Sequence, residues 1–340
     1  VPRRRPLVIG HRGAPGYRPE HSPSAYDLAL AMGADAVEPD VVVSRDGVLV
    51  VRHENEISGT TDVSERPEFA DRRTTKRVDG AEQTGWFTED FTWEELSTLR
   101  VRERIPALRA TSATYDDRQP MLRLRDVLDL VHRASLEQGR EIGAVVEIKH
   151  ATYFAGIGLD HVPLLLAELE ACGWGGGAHP LVIESFEQTV ITRLQQEGLR
   201  ATYVYLLEAA GTAYDLRASR QAGVPSYADQ LGPRGLDVLA SQVDGISLDK
   251  KIILRPDRMG RSRGPAPVVE DAHQRGLQVF TWTARPENAF LLKQFRTGAK
   301  AEFGDYEGEW QILREAGVDG VFVDHPDLGV DFFRAPAVRD

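Results

Sequence analysis

Cysteine is almost missing from this chain: among 340 residues, Cys172 is the single one. One thiol excludes an internal disulfide and leaves no thiolate set for a zinc knuckle. Such poverty suits a cytosolic or an exported protein equally. Long apolar runs are missing too. With no stretch of about 18 apolar residues there is no candidate transmembrane helix, and no stable membrane insertion is expected. Positive charge is also short: the formal net charge is −11 and the pI is near 5.4. That balance argues against a nucleic-acid partner, so an anionic ligand would need local cations or a metal. No obligate protein partner is evident. The chain opens at Val1 with neither an initiator Met nor an apolar signal core. The expectation is a removed leader or a trimmed start, with the basic VPRRRP as a surface tail.

What is there is enough for a full core, as one large domain or two small ones, with 41% hydrophobic residues. Chemistry-bearing residues crowd into Ile9–Glu54. Leu7–Gly10 reads as a strand running into HRG, and Ser22 as the cap of a helix that Gly33 stops. Asp35–Val43 reads as a second strand, with Glu38 and Asp40 two apart and so on one face. Ser44-Arg45-Asp46-Gly47 signals a hairpin, returning through Val48–Arg52. A two-residue Asp46-Gly47 loop pairs position 40 with 53, and a register shifted by two pairs 38 with 53. Both bring His53 back to the carboxylates.

Residues 57–119 break this rhythm with Thr, Arg, Asp and Glu, and predict one short helix at Trp93–Leu99. Their aromatics, Phe69, Trp86, Phe87, Phe91 and Trp93, make the stretch an ordered insertion rather than a linker. Strand–helix alternation then resumes. It gives core strands near 8, 38, 146, 183, 204, 246, 280 and 321, with the 48–52 ribbon as an extension. The expected fold is a (β/α)8 TIM barrel, one domain over 1–340 with an insertion at about 57–119 after the second strand unit. An open doubly wound sheet is the alternative, but no Gly-rich nucleotide loop stands where it needs one. Polar residues gather at strand ends: His11, Arg12, Glu38, Asp40, Glu147, Lys149, Ser185, Trp282 and Asp324. Barrel enzymes build their sites there.

Three convergent carboxylates, Glu38, Asp40 and Glu147, cannot all stay ionised without a cation. Oxygen-only ligands select one hard divalent ion, Ca²⁺ or Mg²⁺. Any one of them could be a helix cap or a surface ion-pair member; all three together are hard to read that way. His11 and His53 titrate nearest neutrality and suit a general acid and a general base, one protonated while the other is neutral. Arg12 and Lys149 are donors without acceptor character, suited to phosphate oxygens or to balancing the carboxylates.

The ordered set HRG, PEHS, ExD, a hairpin ending in His53, EIK, a short strand ending in SF, WT and VDGVFVDHPD spans His11 to Asp327. It resembles the glycerophosphodiester phosphodiesterase family, and RHENEISGTTDV and FTWTARPEN resemble its exported or periplasmic members. The resemblance implies secretion and a (β/α)8 barrel. It also implies cleavage of glycerophosphodiesters to sn-glycerol 3-phosphate and an alcohol such as choline or ethanolamine. His11 and His53 would be the acid–base pair, and Glu38, Asp40 and Glu147 the holders of one divalent ion. Arg12 and Lys149 would bind phosphate; Trp282 and Phe186 would line the glycerol pocket. The glycerol 2-hydroxyl would attack phosphorus, and water would open the cyclic phosphate. The family's PENT, HD and QSF appear here as PEHS, HE and ESF, which touches substrate positioning rather than reaction class. His21 is read as a loop histidine.

Two other functions fit the same barrel. A phospholipase D or lysophospholipase D would need an apolar, membrane-facing rim, whereas these loops are mostly charged. A non-catalytic glycerophosphodiester-binding protein would be expected to have lost a histidine or a carboxylate of the set, and this chain keeps all five.

Overall fold

The computed structural model describes residues 5–335, so the expectation for the basic start falls chiefly outside the described residues. Its strands are β1 Leu7–His11, β2 Ala36–Glu38, β3 Asp40–Val43, β4 Leu49–Val51, β5 Thr74–Val78, β6 Ala81–Gly85, β7 Gly143–Ile148, β8 Leu181–Ser185, β9 Thr202–Leu207, β10 Gly245–Asp249, β11 Gln278–Ala284 and β12 Gly320–Val323. Neighbours run β2-β1-β12-β11-β10-β9-β8-β7, and β7 pairs back to β2, closing a parallel barrel. β2 and β3 are one strand interrupted at Pro39, because Val37↔Ala144 and Asp40↔Glu147 keep one offset across the break. Proline has no N–H to give a ladder. The eight-stranded barrel expected from the alternation is therefore the observed one.

Parallel barrel strands are buried on both faces, which is why they read as nearly continuous apolar runs. Ile9, Ala36, Val145, Val204, Phe280 and Phe322 fill the barrel interior. Their neighbours Val8, Val37, Ala144, Val146, Val279 and Val321 face the surrounding helices. Gly320 is required at one close approach, since a Cβ there would come within 2.4 Å of the Phe280 ring. The outer layer includes Pro23–Ala31, whose first turn donates Ala25 N–H to the Ser22 side chain, and Leu124–Gln138, His161–Ala171 and Gln188–Gln196. These follow the sequence reading within a few residues. Tyr214–Ala218, Tyr227–Gln230, Pro233–Ala240, Lys250–Leu254 and Pro326–Arg334 were not expected. The first, second and fourth of these, four or five residues long, show too few turns for periodicity to register. No helix among the described residues is long and apolar enough to cross a membrane.

The hairpin departs from both expected registers. Val41 faces Val51 and Val43 faces Leu49, so position 40 aligns with 52 rather than 53. Ser44 N–H bonds Val48 O, which leaves a three-residue loop with Gly47 at φ +79°. The extra loop residue shifts the pairing by one. Within 57–119, Phe69, Trp86, Phe87 and Phe91 are buried, and Trp86 Nε1 donates to Phe69 O at 2.7 Å. The expected helix is Trp93–Ser97, started by a Thr92/Glu95 capping box, and a second α-helix in the stretch, Ala110–Ala113, was not expected. The β5–β6 hairpin was missed because it is mostly exposed and carries no apolar alternation.

Candidate active site

Strand periodicity builds the site. A residue two positions beyond an interior one points the same way, one layer nearer the strand's C-terminal end. Ile9 is followed at that spacing by His11, Ala36 by Glu38, Val145 by Glu147, Phe280 by Trp282 and Phe322 by Asp324. Val182, packed on the same interior, is followed by Glu184. The barrel floor is thus apolar and its C-terminal mouth polar. His11, Arg12, Glu38, His53, Glu147, Lys149, Phe186 and Trp282 all line one cavity of about 1040 Å³.

Each histidine is held through Nδ1. His11 Nδ1 meets Asp324 Oδ1 at 2.6 Å, and His53 Nδ1 meets Glu54 Oε1 at 2.5 Å. An ionised carboxylate only accepts, so Nδ1 carries the proton and Nε2 is left for the cavity. His53 Nε2 lies 3.2 Å from Lys149 Nζ, and His11 Nε2 4.0 Å from Glu38. Desolvation, then the Arg12 charge, brings the His11 pKa down to about 4 despite Asp324. Desolvation, Arg12 and Lys149 bring His53 to about 3. Both shifts favour the neutral ring in the free protein.

The carboxylates converge as a cluster. Glu38, Glu147 and Glu184 present oxygens within 4.8 Å of one another, all buried. Asp40 stands beside Glu147 in the strand register. Its Oδ2 accepts from His21 Nε2 at 2.9 Å and faces Arg12 Nε at 3.3 Å, while its Oδ1 is buried without a partner. Glu184 Oε2 is likewise buried and unpartnered. Burial and mutual repulsion raise the pKa of Glu38 and Glu184 well above the carboxylate range and that of Glu147 to about 8. At Asp40 burial works the other way from the result: the His21 hydrogen bond and Arg12 outweigh it and hold the group well below its usual value. Oxygen-only donors, two unpartnered buried oxygens and several carboxyls that cannot ionise together fit a hard divalent cation.

Cations complete the site. Arg12, at φ +56°, donates its backbone N–H to Glu38 Oε2 at 2.9 Å and Nη1 to Glu20 Oε2 at 3.0 Å. Lys149 Nζ donates to Glu147 Oε1 at 2.8 Å and lies 5.5 Å from the Phe186 ring centre. Phe186 and Trp282 meet edge to face, and the Trp282 Nε1–H is buried without a partner. His21 is more than a loop histidine. It is fully buried between the Tyr26 hydroxyl at 2.7 Å and Asp40.

Sequence reasoning missed Glu184, Glu54, Arg104 and Arg109 and placed Asp324 at a strand end without giving it a role. Glu184 had a signal in ESF. Arg104 and Arg109 had none, lying in the stretch without periodicity.

The profile of the Glycerophosphoryl diester phosphodiesterase family matches residues 11–328. A glycerophosphodiester phosphodiesterase of Arabidopsis thaliana is 31% identical over 94% of this chain and 84% of its own length. One from Haemophilus influenzae is 25% identical over 96% and 90%. Among solved structures, a phosphodiesterase of Oleispira antarctica in complex with the product sn-glycerol-3-phosphate aligns with TM-score 0.59 at 18% identity, covering 97% of both chains. Likeness at that identity carries the fold alone.

Proposed function

Because the chain belongs to the glycerophosphoryl diester phosphodiesterase family and is a phosphoric diester hydrolase, we propose that its cavity cleaves glycerophosphodiesters to sn-glycerol 3-phosphate and an alcohol. One observation carries the reading. Two imidazoles, each tied back through Nδ1, line the same cavity as Arg12, Lys149 and the carboxylate cluster.

Arg12 and Lys149 bind the non-bridging phosphate oxygens and balance the charge that grows at phosphorus. The substrate's glycerol 2-hydroxyl attacks phosphorus while one imidazole takes its proton at Nε2. The other imidazole protonates the leaving alkoxide, so one P–O bond forms as another breaks. Water then opens the cyclic phosphate with the roles reversed. Since both rings are neutral in the free protein, the negative phosphate is what favours a proton on the ring that acts as acid. Glu38, Asp40, Glu147 and Glu184 would hold one divalent ion, Ca²⁺ or Mg²⁺, which when bound stabilises phosphate negative charge. Phe186 and Trp282 wall the glycerol end, with the free Trp282 N–H as a donor. We take 57–119 as one insertion into a single-domain barrel, shaping the head-group end of the cavity.

The test is direct. Glycerophosphocholine incubated with the protein should release glycerol 3-phosphate, lose that activity in excess chelator, and regain it with Ca²⁺ or Mg²⁺. Full turnover in chelator would refute the metal assignment, and no release from any glycerophosphodiester would refute the function.

A further inference from the structure

One short segment, Arg104–Arg109, reaches both histidines. The Arg104 guanidinium spans two carboxylates, donating to Glu54 Oε1 and Oε2 at 2.9 and 2.7 Å and to Glu20 Oε2 and Oε1 at 2.9 and 2.6 Å. Glu54 is the group on His53 Nδ1, and Glu20 the group on Arg12. Five residues later, Arg109 Nη2 donates to Asp324 Oδ2 at 2.6 Å, on the carboxylate whose other oxygen holds His11 Nδ1. Its Nε is anchored on Glu287 Oε1 at 2.8 Å and its Nη1 on Pro15 O at 3.1 Å.

We propose that Arg104 and Arg109 are positioning residues, each fixing the rotamer and Nδ1–H tautomer of one imidazole through the carboxylate between them. The proposal rests on the acid–base reading of His11 and His53. A carboxylate held at one oxygen can swing, offer its other oxygen, or turn away. An anchored guanidinium restricts that motion: Arg104 grips both Glu54 oxygens, sharing Oε1 with His53 Nδ1, and Arg109, tethered at its other nitrogens, holds Asp324 Oδ2 and leaves Oδ1 for His11 Nδ1. Neutralising charge is not enough to explain Arg109, because Arg285 Nε already donates to Asp324 Oδ2 at 2.6 Å. What Arg109 adds is a tether from that carboxylate to Glu287 and Pro15. Stability does not explain it either. Buried ion pairs are poor stabilisers beside well-packed apolar side chains of similar volume, and Arg109 and Asp324 are 5% and 0% exposed. At Glu54 the dependence is more direct, since Arg104 holds both of its oxygens.

The experiment compares Arg104→Met, Arg109→Met and the corresponding Lys variants in the full chain carrying ¹⁵N-labelled histidine. Ring ¹⁵N shifts report each tautomer, steady-state kinetics separate kcat from KM, and thermal unfolding reports the folded fraction. Arg104→Met should move the His53 ring signals toward a mixture of tautomers and leave those of His11 in place; Arg109→Met should do the reverse. Each should lower kcat by about 10–100-fold, the scale of losing the group behind an orienting ligand, with KM little changed. The Lys variants keep the charge without the fork and should show the same shifts to a smaller extent. They also give the readout if a Met variant fails to fold. Unchanged ring signals, or a kcat loss that follows only the unfolded fraction, would overturn the proposal. His11→Ala and His53→Ala separate the two levels: if they remain active, the acid–base reading fails. If they are dead while the Arg variants are spectroscopically silent, only the positioning role fails.

Discussion

Glu184 adds a carboxylate to a cluster that is already overcrowded, where ESF replaces the QSF that the resemblance leads one to expect. Its Oε2 is buried with no partner and its pKa is pushed well up, first by burial and then by Glu147 and Asp40. Glu184→Gln keeps the shape and removes the charge. Two opposite effects should follow. Titration calorimetry should give weaker Ca²⁺ and Mg²⁺ binding, by about 10–100-fold on the scale seen for groups around a metal. The metal-free protein should melt higher, because one repelling carboxyl is gone. Unchanged affinity would mean that Glu184 is no ligand. The histidines allow a second test on single side chains. His11→Ala and His53→Ala should each cost about 10²–10⁴-fold in kcat/KM toward natural diesters. A p-nitrophenyl ester, whose leaving group needs no proton, should rescue the variant that lost the first-step acid and not the one that lost the base. Equal rescue of both, or of neither, would remove this division of labour.

The strand is the element that made the site legible in advance. Period-2 alternation carries His11, Glu38 and Glu147 to one mouth, and the sequence placed all three at strand ends before any resemblance was drawn. Pro39 between Glu38 and Asp40 interrupts the ladder without shifting its offset, so the inference that both share a face survives a break the sequence reading did not use. What spacing could not yield is contact between distant segments. Arg109 meets Asp324 across 215 positions, and nothing local in RIPALR marks that meeting. Residues 57–119 resisted reading for the same reason, being ordered by buried aromatics and ion pairs rather than by a repeating face. Within them, the tip of the β5–β6 hairpin reaches the cavity rim: Asp79 Oδ2 and His150 Nδ1 are 2.6 Å apart, and both residues line the cavity. Exchanging 57–119 for the segment of a relative with another preference should therefore change relative kcat/KM among head groups while leaving cation affinity in place. Constant ratios would reduce the insertion to a structural cap.

At the scale of the whole molecule, the cation and the fold should be thermodynamically linked through pH. Glu38, Glu147 and Glu184 have folded-state pKa values raised above the ordinary 4.5, to about 8 for Glu147. At these carboxyls the folded metal-free protein holds protons that the unfolded chain has released. The contribution of these groups is therefore complete below about pH 4.5 and is lost as pH rises through their raised folded-state values, about 8 for Glu147. Glu20, Asp40 and Asp324 are depressed despite burial, because their Arg and His partners outweigh it. Their contribution is present above the unfolded values and is lost as pH falls through the depressed ones. His11 and His53, lowered to about 4 and 3, add stability as pH rises toward the unfolded histidine value near 6.5, so the carboxylate loss dominates above it and metal-free protein should lose melting temperature from pH 7 to pH 8. A bound divalent ion does what the protons did, and a ligand at 100 times its dissociation constant adds about 2.7 kcal/mol. The gap between melts in Ca²⁺ or Mg²⁺ and melts in chelator should then widen with pH, since protons and cation compete for the same oxygens. Thermal melts at four pH values, each with and without cation, measure that gap. A gap that stays constant or narrows toward pH 8 would mean that the cation, if it binds, binds away from these carboxylates.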